Sequence, residues 1–222
     1  MRSQYQHGGT ATRCKPTYLS HMAEILTPSA RGTQSWLRAI FIASTCAWIV
    51  TILMSGLAAG LIFPSLKQLD PGIPSIGVVR EMHWKILAGY PAQKIFNVCQ
   101  SVEYVLCIVS IFAAIFAPRS QRKSAITLVR WTCHLAAAGL LIWIGAKLIA
   151  PMNELFTALR AAATAGDAAR TMELDTTFGG IHAKATPAMG TMAALVAVAH
   201  VLAITEWSRR APLPVSSSPA TP

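Results

Sequence analysis

Apolar residues in this chain are gathered into long blocks separated by shorter polar ones. The clearest block, AIFIASTCAWIVTILMSGLAAGLIF from Ala39 to Phe63, carries no charge. A hydrocarbon core about 30 Å thick takes roughly 20 helical residues to cross, so this block predicts a membrane-spanning helix. It begins beside Arg38 and is expected to stop at Pro64. Three further blocks predict spans over about residues 95–117, 125–150 and 188–205, with Pro118 and Pro151 following the second and third. Between the first two spans, Pro64, Pro71, Gly72 and Pro74 break the chain. GVVREMHWKILAGYP then places Val78, Met82, Lys85 and Ile86 at helical spacing. That stretch predicts a short helix lying on the membrane surface.

The pattern therefore predicts an all-α fold, an integral membrane four-helix bundle over residues 36–207. A flexible N-terminal tail is expected over 1–35 and a disordered, Pro- and Ser-rich tail over 208–222. The turn PRSQRKSA between the second and third spans holds three basic residues and no acid. Such a turn belongs on the cytoplasmic side, so both termini are expected to be cytoplasmic and two loops external. Trp36 and Trp207 suit the interfacial belt, and Arg130 and Lys147 are placed to snorkel from the ends of the third span. The first apolar block starts too far into the chain for a secretory signal, and no lipidation signature is present.

Composition supports this reading. The chain is 53% hydrophobic and 13% charged, against about 25% charged for a soluble domain. The formal net charge of +10 invites a nucleic-acid role, but the basic residues cluster at the ends of apolar blocks and do not interleave with aromatics. The expected surroundings are a lipid bilayer, with a bacterial inner (plasma) membrane as the setting, and no nucleic acid. Of the cysteines, Cys46, Cys99, Cys107 and Cys133 fall inside spans and form no CxxC pair, which argues for apolar packing residues. No GxSxG, HExxH, GxxxxGK[ST] or GxGxxG motif occurs, so no enzyme class is indicated, no catalytic residue is named and the reading leans away from an enzyme.

Four groups of residues carry candidate chemistry. Glu103 lies inside the second span, on a broad helical face with Asn97, Gln100, Tyr104 and Cys107. An intramembrane carboxylate costs roughly 2.5–3.5 kcal/mol to insert and normally faces the bundle interior. It reads either as an ion, proton or solute contact or as an interhelical hydrogen-bonding group. His134 and His200 sit at similar depth on the third and fourth spans, so a b-type haem held between them is an alternative; otherwise no cofactor is expected. His83 and His182 precede the two spans that start from the outer face, and outer carboxylates including Asp70, Glu81, Glu154, Glu173 and Asp175 could join them around a metal. Packing or capping is the simpler role for that pair. Gly56 and Gly60 form a GxxxG pair suited to close helix contact, within the bundle or with a second copy or another membrane subunit.

Three patches resemble the transmembrane protein 205-like family of small four-span proteins: GLAAGLIFPSL at 56–66, LAGYPAQKIFN at 87–97 and FGGIHAKATPAMG at 178–190. The last is similar to that family's Phe-x-x-x-His segment before the final span. The resemblance implies a four-span fold of undefined biochemistry and singles out His182. Lys184 and Gly190 depart from the family's pattern. The functional expectation is a polytopic membrane protein handling a small solute or ion through the polar outer half of the bundle, with Glu103 as charged contact. The alternatives are a haem-holding electron-transfer subunit and a non-catalytic interaction subunit.

Overall fold

The computed structural model describes residues 30–72, 82–117 and 125–208, with side chains from Trp36 onward. Most of both expected tails (1–29 and 209–222), the basic turn at 118–124, Val78 and Glu81 lie outside the described residues; residues 30–35, expected in the N-terminal tail, are instead helical. Helix α1 covers Ala30–Leu69, α2 His83–Phe116 and α3 Ala125–Ile144. A π-helical segment, Gly145–Ile149, joins α3 to α4, Ala150–Thr164, and α5 covers Ala168–Ser208. Counting α3 through α4 as one rod, four helices are long and apolar enough to cross a membrane. The described residues form an all-α, four-helix bundle, as the hydrophobic pattern predicts, and the chain is a polytopic membrane protein.

The helices are longer than the apolar blocks. At 1.5 Å per residue, α1 is about 60 Å long, twice the hydrocarbon thickness. Pro64, Pro91 and Pro187 all lie inside helices. Proline removes one backbone hydrogen bond, but its fixed φ is helical, and neighbouring helices support the rod on both sides of the gap. The first helix therefore does not stop at Pro64. From His83 onward the stretch read as a separate surface helix is instead the start of α2, continuous through Pro91. Pro151 is absorbed differently. Its ring would meet the carbonyl of Lys147, and the π segment widens the helix there, with Ala150 N–H donating to Gly145 O five residues back.

Most of the extra length lies at one end, beyond the 63, 95, 150 and 188 boundaries of the apolar blocks, although α1 also begins before Ala39 at the other end. We call this the hairpin end, because α4 turns into α5 there. Gly166 takes a left-handed φ of 76°, and Asp167 accepts a hydrogen bond from Arg170 N at 2.9 Å, capping α5. The opposite, terminal end gathers the start of α1, the end of α2, the start of α3 and the end of α5.

Packing divides the bundle into α1 with α2 and α3–α4 with α5, joined by α1 against α5 and by lighter contact of α2 with α3 and α4. Lipid tails are as apolar as leucine, so close van der Waals contact holds spans together. Small residues make that contact tight: Ala113, Ala137, Ala199 and Ala203 are fully buried. The main core sets Trp48 and Ile52 against Leu141, Met192 and Val196. A second core, Met82, Ile86, Leu159, Ala163 and Leu174, lies in the hairpin end.

Candidate functional site

The polar face of α2 runs from the hairpin end into the bundle. Gln93 Nε2 donates to Asn153 Oδ1 at 3.0 Å, and Asn153 Nδ2 donates to Asn97 Oδ1 at 2.9 Å. These amides tie α2 to α4. One turn further, Gln100 and Tyr104 occupy the room that a Cβ at Gly145 would need. A larger residue would have to displace both side-chain ends, so the start of the π segment lies close against this face. The Gln100 side-chain nitrogen is buried without a hydrogen bond. Next comes Glu103, 3% exposed, and no hydrogen bond or ion pair joins its carboxyl to a described residue. Cys107 and Ser110 continue Glu103's stripe. The sequence therefore places Asn97, Gln100 and Glu103 on the inward side as expected, but α4 holds the first and Gly145 abuts the second.

His134 and His200 are engaged separately. His134, 1% exposed, shares a hydrogen bond between Nε2 and Ser110 Oγ at 3.0 Å. Phe41 and Trp48 close on its ring, at centroid distances of 5.3 and 6.0 Å. His200 Nδ1 shares a 2.8 Å hydrogen bond with Thr45 Oγ1 on α1. Phe41 and Trp48 thus pack beside His134, and the two histidines are held by hydroxyls on different helices. The hydroxyl-bonded imidazoles join α3 to α2 and α5 to α1, while His134 Nδ1 is buried without a hydrogen bond to any described residue.

At the hairpin end His182 and His83 have different surroundings. His83 is buried at the first residue of α2. His182 is exposed and stacks on Phe178, with centroids 6.1 Å apart and planes 8° from parallel. It borders a chamber that His83 does not line. The outer carboxylates are dispersed: Asp175 pairs with Lys85 at 2.7 Å and Glu173 with Arg170 at 2.7 Å. Among the described residues no three His, Cys, Asp or Glu side chains gather in a group that could hold a metal ion.

The chamber is formed by all four long rods. Phe63 comes from α1, Trp84 and Lys85 from α2, Phe156 from α4, and Phe178 and His182 from α5. Its volume is about 220 Å³, and a recess of about 40 Å³ beneath it reaches Gln93 and Asn153. Gly89 is required in its wall, because a Cβ there would enter the Phe156 ring. Sequence reading singled out His182 but missed the chamber, whose aromatics are far apart in the chain. The one local signal was Phe178 four residues before His182, one helical turn away.

Gly56 and Gly60 do not pack against the described part of the bundle: among the described residues nothing lies within 4 Å of a Cβ added at either. A further feature was missed at the terminal end. Arg130 Nε lies 3.2 Å from Glu206 Oε2, and Thr127 Oγ1 donates to Glu206 Oε1 at 3.0 Å. The rings of Phe41, Trp131 and Trp207 stand 5.4, 5.5 and 5.8 Å from the guanidinium. Arg130 therefore does not snorkel outward but is paired inside the bundle. Both residues lie near the same end of antiparallel spans, and that shared depth was the available clue. Lys147 is exposed, in keeping with a snorkelling role.

A scan against known protein-family models matched none, and searches of curated proteins and of solved structures returned no match either.

Proposed function

We propose that this protein handles a small solute or ion through the hairpin half of its bundle, with Glu103 as the charged contact. The observation that carries the reading is the buried Glu103 carboxyl, which has no hydrogen bond to any described residue. Ionisable residues inside spans face the bundle interior or a water-filled cavity and mark ion, proton or substrate pathways. The amides of Gln93, Asn97 and Gln100 lead toward it along about 15 Å of α2. Amide oxygens and a carboxylate are hard ligands suited to a proton, a hydrated monovalent cation or a polar solute.

The test uses the full chain in sealed vesicles with a pH-sensitive dye inside, under imposed proton, sodium and potassium gradients. Wild-type protein is expected to dissipate at least one gradient faster than empty vesicles, and Glu103→Gln to abolish that excess while keeping the same thermal midpoint. Equal fluxes from wild type and Glu103→Gln would remove the role assigned to Glu103.

A second reading, an interaction subunit, is favoured by the open faces of Gly56 and Gly60. A second copy or another membrane subunit could lay a helix there at short distance. Under that reading, Gly60→Leu shifts the protein to a smaller assembly by native mass measurement. An unchanged mass counts against it.

A further inference from the structure

The hairpin-end chamber has a chemistry unlike that of the Glu103 path. Its walls are the rings of Phe63, Trp84, Phe156 and Phe178. The described residues that line it include one cation and one anion, Lys85 and Asp175, and these neutralise each other at 2.7 Å. The remaining polar groups are the indole N–H of Trp84, a donor only, and the imidazole of His182, which stacks on Phe178 and has no hydrogen bond to any described residue. Apolar pockets with few placed polar groups are the usual form of a small-molecule site. A cavity of roughly 150 Å³ lined by apolar side chains takes up benzene, so a volume of about 220 Å³ suits two fused rings. A net charge on the ligand would find no uncompensated countercharge on this wall. An imidazole always offers one ring nitrogen as donor or acceptor.

We propose that this chamber binds a neutral, planar aromatic molecule of one or two fused rings, with a hydrogen-bond donor directed at His182. Ring faces stack in offset or edge contact with the wall aromatics, and the donor sets the orientation. The site does not depend on the role given to Glu103, which lies roughly 21 Å along α2 from Gly89.

Indole serves as the probe. The full chain is placed in lipid nanodiscs, and binding of radiolabelled indole is compared with empty nanodiscs. Saturable binding of one indole per chain is expected. Gly179 lines the chamber, and nothing lies within 4 Å of a Cβ added there. Gly179→Leu should therefore fill the room without a backbone clash and weaken indole binding at least tenfold at an unchanged thermal midpoint. Replacing the donor, as in 1-methylindole, should weaken binding severalfold in the wild type and have no effect in His182→Ala. Should Gly179→Leu fail to fold, Phe178→Ala takes its place, and the same tenfold loss is expected. Binding no greater than that of empty nanodiscs, or unchanged in the filled or ring-deleted variant, overturns the site. Displacement of indole by 1-hexanol as readily as by 1-naphthol overturns the aromatic class and assigns the chamber to acyl chains. Glu103→Gln should bind indole like the wild type, so loss of the gradient fluxes and loss of indole binding report on separate proposals.

Discussion

Each end of the bundle carries a cation–anion bridge between helices, and the two are built for different work. At the terminal end Arg130 and Glu206 are 7% and 7% exposed, and three aromatic rings surround the guanidinium. At the hairpin end Lys85 and Asp175 are 40% and 28% exposed and border an open chamber. Burial sets the consequence. A buried pair is held in place by what it would cost to leave either charge alone. A half-exposed pair contributes little, because water solvates either partner when they separate. The terminal end is thus a lock between α3 and α5, and the hairpin end keeps a bridge that can part without unfolding the protein.

Breaking the lock should have the largest effect. Glu206→Leu leaves the Arg130 charge buried without its partner, and a loss of about 3–5 kcal/mol is expected in reversible unfolding from mixed micelles. The double change Arg130→Met with Glu206→Leu should recover most of that loss, because well-packed apolar residues replace buried pairs at little cost. If the double variant is as unstable as the single one, the pair is doing more than compensating its own burial.

Filling the two close approaches comes next. Gly145→Ala pushes Tyr104 and Gln100 away from the π segment, and Gly89→Ala pushes the Phe156 ring. Each should lose about 1–3 kcal/mol by overpacking. Gly56→Ala, with open space at its Cβ, should cost nothing measurable in the same assay and so acts as the control.

The histidine links between helices are smaller contributors. Ser110→Ala removes the partner of His134 Nε2, and about 0.6–2 kcal/mol is expected from interhelical hydrogen bonds in membranes. Lys85→Met should change stability least, by about 0–1 kcal/mol in thermal denaturation. A loss there as large as that of Glu206→Leu would erase the contrast between the two ends.

The fold class was legible in the sequence because bilayer thickness imposes a length that uncharged runs such as Ala39–Phe63 must meet. The inward side of α2 was legible for a related reason: Asn97, Gln100 and Glu103 recur at helical spacing, and a polar group facing lipid has no partner. Helix ends were not. Pro64, Pro91 and Pro151 read as breaks from local geometry, but a proline's lost hydrogen bond is one local term, and packing of neighbouring rods outweighs it. The histidines show the same division. Their depth could be counted along each span, whereas the rotation of one helix about another decides which atom each ring meets, and it put Ser110 beside His134 and Thr45 beside His200.

By itself, then, the sequence determined the solvent of this protein, the number of its crossings and which faces turn inward, since hydrophobicity and helical period are properties of each segment alone. The tertiary structure decided the pairing of Arg130 with Glu206, the isolation of Glu103 and the aromatic chamber beside His182. Those depend on distances between residues on separate helices, and such distances are set when side chains from all four rods compete for the same space.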